Sequence, residues 1–141
     1  MTWNTSNSNA AIDVLEKLSK DTNKFVRCGV AKNLNTNTDL LKKLAFDIDN
    51  HVRCEVASNP NTPIDILGKL SKDTNKFVRC EVAKNLNTNT DLLKKLAFDI
   101  DNHVRCEVAS NPNTLIDILE ELSKDADEYV RCEVAKNSNT P

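Results

Sequence analysis

Apolar positions along this chain fall into two kinds of short helical stripe that take turns from start to finish. In the stretch around position 78, Val78, Val82 and Ala83 fall on one side of a helix expected over about 76–84, and Cys80, Glu81 and Lys84 fall on the other. Upstream, Leu67, Leu70, Ser71 and Thr74 take the i, i+3, i+4, i+7 places of another helix, and the preceding unit fills them with Leu41, Leu44, Ala45 and Ile48. Thr62-Pro63-Ile64-Asp65 reads as the start of that first helix, which runs to about Lys72. Thr62 is the expected cap, Pro63 takes the first helical position and Asp65 sits at the positive end of the helix dipole. Asp73-Thr74-Asn75 turns the chain, and Asn85 ends the second helix because asparagine tolerates the left-handed conformation in which helices often stop. Each such unit is an antiparallel helical hairpin.

The hairpin is copied. Val-Arg-Cys begins at Val26, Val52, Val78, Val104 and Val130, a spacing of 26 residues, which divides the chain into units 10–35, 36–61, 62–87, 88–113 and 114–139. A regular period of this size means that each unit buries its apolar face against its neighbours, so the expected architecture is an all-α solenoid whose stability sums over units and interfaces. Residues 1–9, rich in Asn, Ser and Thr with Trp3 as the one large apolar group, read as a frayed leader, and 10–141 as a single solenoid domain. A longer period lies on top of the first, because units alternate: residues 36–87 match 88–139 at 44 of 52 positions.

Some polar columns persist through all five units. Asn33, Asn59, Asn85, Asn111 and Asn137 form one, and Asn35, Asn61, Asn87, Asn113 and Asn139 another. Two amides per inter-unit loop could satisfy backbone groups of the next unit as a ladder. Asp73 and Arg79, six residues apart, recur as Asp21/Arg27, Asp47/Arg53, Asp99/Arg105 and Asp125/Arg131. The planar guanidinium fork could clamp the carboxylate of its own unit or of the adjacent one. A row of arginines reading phosphates is disfavoured, since every arginine has a carboxylate at hand.

The string from Val52-Arg53 through Pro63, continued by Leu67, Leu70 and Asp73, resembles the leucine-rich repeat variant family of bacterial helical solenoids, and the Asp-to-Arg spacing resembles HEAT repeats. The resemblance covers residues 10–139. It implies a right-handed α-solenoid, a superhelix of five 26-residue helical-hairpin repeats, and a role in binding other macromolecules. Two departures stand out: the family's usual repeat is shorter and pairs an α-helix with a 3₁₀ turn, whereas 26 residues leave room for two α-helices. Its namesake also carries an N-terminal cysteine cluster for an iron–sulfur centre, which nothing before Cys28 matches, so no cofactor is expected.

Composition narrows the function further. A net charge of −2, with one Trp, one Tyr and four Phe, indicates neither a nucleic-acid surface nor an acidic tail. No apolar run approaches the roughly 20 residues that span a bilayer, and the first residues lack the basic and apolar regions of a signal peptide, so a cytoplasmic protein with no membrane partner is expected. Five cysteines in one column, an odd number, do not read as a disulfide framework; stacked about 8–10 Å apart they would be too far to bridge and read as reduced thiols filling space.

Catalysis needs a singular set of differently tuned groups, and almost every polar residue here recurs in an equivalent setting, so no enzyme is expected. His51/Cys54 and His103/Cys106 supply two ligands each, short of a closed metal site, and the two pairs lie too far apart to combine. A metal- or thiol-dependent protein is the alternative they offer, and a HEAT-like nucleic-acid binder is another. The histidine column otherwise holds Phe25, Phe77 and Tyr129, which suggests a partly buried packing position. With the second helices lining a concave surface, that surface would present Glu55, Glu81, Glu107 and Glu133 beside Lys84 and the thiols of Cys54, Cys80 and Cys106. A mildly acidic repetitive stripe suits a protein or peptide with basic groups. Unit 114–139 carries seven acids against three bases, in the manner of a soluble end cap, and the unprotected N-terminal end invites self-association.

Overall fold

A computed structural model describes the backbone of residues 5–141 and the side chains from residue 11 onward. The described residues form ten α-helices and no strand: α1 (Thr5–Leu18), α2 (Lys24–Lys32), α3 (Thr38–Leu44), α4 (Asn50–Ser58), α5 (Ile64–Leu70), α6 (Lys76–Lys84), α7 (Thr90–Leu96), α8 (Asn102–Ser110), α9 (Ile116–Leu122) and α10 (Glu128–Lys136). Each unit contributes a first and a second helix, and both are α-helical, as the repeat length allows. Thr5–Asn9, expected as leader, belong to α1, while Trp3 and the rest of residues 1–4 lie outside the described residues.

Helices of seven and nine residues are too short to persist alone in water, so packing has to hold them. Each second helix is started by the residue before it. Asn75 accepts from the Phe77 N–H, and Asp49, Asp101 and Asp127 do the same for His51, His103 and Tyr129. Val52, Val56 and Ala57 in α4, and their counterparts Val78, Val82 and Ala83 in α6, are wholly buried. At roughly 1.5–3 kcal/mol for each large aliphatic side chain removed from water, such a column outweighs the poor intrinsic stability of the helices. The first helices seal the other side with Leu40, Leu41 and Leu44, or Ile66, Leu67 and Leu70.

Successive second helices pack directly on one another from α2 to α10, and each first helix from α3 onward sits between the second helices that precede and follow it. First helices make little contact with each other. Arrangement along one axis follows, with no extensive contact between distant units among the described residues. Ala135 and Cys132 of α10 are exposed where Ala83 and Cys80 are covered, which shows that these two columns face the following unit.

Several sequence readings are corrected. Ile48, placed on the buried stripe at i+7, and its counterpart Ile100 are 95% and 94% exposed, because the first helix ends after two turns and they lie beyond it. Thr74 is exposed for the same reason, while the missed core position is the residue before each stripe, Leu40 or Ile66. Thr62 does not cap the helix that follows it; its hydroxyl donates to Val56 O at 2.6 Å and closes the helix that precedes it. Pro63 stands at the cap itself and α5 begins one residue later. Asn85 stops α6 in an extended conformation, φ −66° and ψ 129°, and no described non-glycine residue has positive φ.

Candidate binding surface

The polar columns are the joints of the array. Arg79 Nε and an Nη grip Asp99 of the following unit at 2.8 and 3.1 Å, and its other Nη donates to Asp73 O in its own unit at 2.8 Å. Arg27, Arg53 and Arg105 hold Asp47, Asp73 and Asp125 in the same way. The side chains of these pairs are mostly shielded, so the forks are occupied and turned away from any phosphate. Burial pushes the Asp47 carboxyl up, but hydrogen bonds from Arg27 and the Asp49 N–H outweigh it and hold the group below the ordinary carboxylate range. The Arg105 hydrogen bond likewise holds Asp125 down.

The asparagine ladder exists, but it points backward. Asn85 Nδ2 donates to Ala57 O at 2.8 Å and Asn59 O at 3.1 Å, both in the preceding unit, and its Oδ1 accepts from the Asn87 N–H. Asn87 Nδ2 reaches Pro60 O, and Asn61 and Asn113 reach Leu34 O and Leu86 O at 2.8 Å. Among the described residues no buried side-chain polar atom is left without a partner.

The candidate surface is the outward face of the second helices. Along α6 it is built from Phe77, Cys80, Glu81 and Lys84, which share one face at i, i+3, i+4 and i+7. Phe77 is 59% exposed, and Phe25, His51, His103 and Tyr129 in the same column are exposed too, so this is a solvent-facing aromatic row and not a packing position. Sequence reasoning missed it, although its spacing from the Cys-Glu pair contained the signal. Burial raises the Glu81 carboxyl above its ordinary range; Lys84 opposes the rise, and the like charges of Glu107 and Glu55 add to it. The glutamates of neighbouring units therefore sense one another along the row. A depression of about 260 Å³ lies between α4 and α6, lined by Ser58, Glu81, Lys84 and Asn85.

The thiols sit beneath this row. Burial, with nearby Glu81 and Asp73, pushes Cys54 up to about 11, and burial with Glu107 and Asp101 pushes Cys80 up to about 12. Cys106 is raised to about 11 by burial, Asp127 and Glu133. Thiols so shifted stay protonated at neutral pH, whereas nucleophiles and metal ligands are thiolates. In the His-x-x-Cys pairs, His51 Nδ1 lies 3.0 Å from Asp49 Oδ1 and His103 Nδ1 lies 3.1 Å from Asp101 Oδ1. No group of three or more His, Cys, Asp or Glu side chains among the described residues is placed to hold a metal ion. No helix among the described residues is long and apolar enough to cross a membrane.

Neither a family model nor a curated protein sequence matches the chain. Among solved structures it is similar to one described as a leucine-rich repeat variant with a novel repetitive protein structural motif, at 25% identity and a TM-score of 0.61. The alignment covers 89% of this chain and 61% of that one, so the chain spans about three fifths of the length of the structure it matches. The fold is that of a helical repeat solenoid, a class that commonly mediates binding.

Proposed function

We propose that this chain is a non-enzymatic scaffold that binds a protein or peptide along the surface made by α2, α4, α6, α8 and α10. The observation that carries this reading is the continuous row of second helices, each presenting an aromatic or histidine, a thiol that is half-buried in all but α10 and, from α4 onward, a glutamate. Close packing of the second helices, against little contact between the first ones, favours the inner side of any curvature for them, the side on which a long ligand is best enclosed. Chemistry of the catalytic kind is disfavoured by protonated thiols and by forks already closed on carboxylates. A peptide array probed with the purified chain tests the reading. Saturable capture of basic peptides, weakened in a Glu55→Lys, Glu81→Lys, Glu107→Lys triple variant, is the expected result. A chain that captures no peptide or protein saturably would defeat it.

A further inference from the structure

Units 10–35 and 114–139 each display one half of the joint that the chain makes four times within itself. Val14 and Leu18 of α1 are 57% and 38% exposed, whereas Leu40 and Leu44, or Ile118 and Leu122, in the same columns are buried. Those columns lie against the second helix of the preceding unit, and among the described residues α1 has no such helix beside it. Val26 and Asn33 are uncovered in the same way, although Val52 and Asn59 are buried. On α10 the complementary face is open, because Cys132 and Ala135 are exposed in columns that point to a following unit.

The polar groups divide likewise. Arg105 closes its fork on Asp125, but Arg131 spends one Nη on Asp125 O and Ala126 O, at 2.7 and 3.1 Å. Its Nε and second Nη hold no carboxylate among the described residues. Asp21, across the array, accepts the Asn23 N–H at 2.8 Å and has no arginine upon it. Unit 10–35 carries five bases against three acids and unit 114–139 three against seven, so the two faces also differ in the sign of their charge.

We infer that the α10 face of one copy receives the α1–α2 face of a second copy, in the register of the internal joints. Asp21 of the second copy then closes the Arg131 fork. Its Asn33 amide donates to Ala135 O and Asn137 O, as Asn137 donates to Ala109 O and Asn111 O inside the chain. Val14 and Leu18 come to rest on α10. The occupant is specified by the chain's own junctions, each of which joins these two faces. A contact between unlike faces is not completed by two copies, so it propagates and lengthens the solenoid. The surface proposed above for ligands is not consumed, because it lies at right angles to neither the fork nor the amide but outward from both.

Sedimentation equilibrium of the whole chain tests the inference, and an average mass that climbs with concentration past that of a dimer is expected. Val14→Glu sets a carboxylate against the acidic unit, and Ala135→Arg sets a guanidinium against the basic one. Both positions are exposed, and circular dichroism verifies that the variants fold. Each variant alone is expected to stay monomeric where the unaltered chain assembles. Mixed in equal amounts they are expected to form a dimer and nothing larger, since each retains the face that the other has lost. Arg131→Ala is expected to weaken assembly about tenfold, the worth of a charge-assisted contact. An unaltered chain that remains monomeric up to about 1 mM overturns the inference. So does a mixture that stays monomeric or grows beyond two copies, or a single variant that assembles on its own.

Discussion

Replacing Asn85 with alanine isolates what a joint between units contributes. The change removes the donors to Ala57 O and Asn59 O and the acceptor for the Asn87 N–H, at a position only 7% exposed. Asn59 O keeps the Thr62 N–H at 3.1 Å, and Asn87 is exposed enough for water to replace its lost partner. The cost therefore concentrates on Ala57 O, a buried carbonyl left with nothing, at about 1–3 kcal/mol, plus about 1 kcal/mol for the remaining bonds. A total of about 3 kcal/mol, with a urea m-value of about 2 kcal/mol per molar for a chain this size, lowers the midpoint by about 1.5 M. Asn33→Ala is the control: it occupies the same column in the first unit, is exposed, and among the described residues holds only the Asn35 N–H, so about 0.5 kcal/mol is expected. Urea denaturation of both variants, followed by circular dichroism, decides the matter. Equal midpoint shifts would refute the claim that the backward-reaching amide, and not the local turn, holds the units together.

Other outcomes follow from the same structure. Gly29 stands in α2 where other units have glutamate, and nothing lies within 4 Å of a Cβ added there, so Gly29→Ala should stabilise by about 0.5–1 kcal/mol; a lowered midpoint would contradict this. Asp47 and Asp125 are held below their unfolded value near 3.9, so the stability they contribute is full above that pH and lost as the pH falls below about 4. A urea midpoint unchanged between pH 7 and pH 3 would exclude it. In timed alkylation at pH 8, exposed Cys132 should react first, while Cys54 and Cys106, with pKa about 11, are only about a thousandth ionised. Peptide mapping that finds all five thiols alkylated at one rate would contradict that order.

The repeat, the hairpin and the bounds of the second helix could be read directly, because Asn75 and the Val78, Val82, Ala83 pattern mark both the start and the buried face of α6. The direction of the clamp could not. An aspartate six residues before an arginine in a unit of 26 is also twenty residues after the arginine of the unit before, so both pairings leave the same pattern in the sequence. The Thr62 error has a similar origin: a threonine just before Pro-Ile-Asp looks like a cap, and only the fold reveals the Val56 carbonyl waiting behind it. The row of Glu55, Glu81, Glu107 and Glu133 is legible from helical periodicity, but a column that holds phenylalanine reads as packing, because phenylalanine is usually buried. Nothing in one sequence reports that α2 and α6 turn those rings to water.

Two sets of bonds between units recur at constant separations, twenty positions for the arginine forks and 26 to 28 for the repeated asparagine contacts. Excising or inserting a whole 26-residue block regenerates both sets at the new junction, whereas a gap of one residue regenerates neither. Genetic slippage can thus lengthen or shorten this protein in whole blocks and keep the arginine forks and asparagine contacts at the seam. A single block, however, sets two like faces side by side, and only a step of two blocks preserves the alternation along the row of second helices.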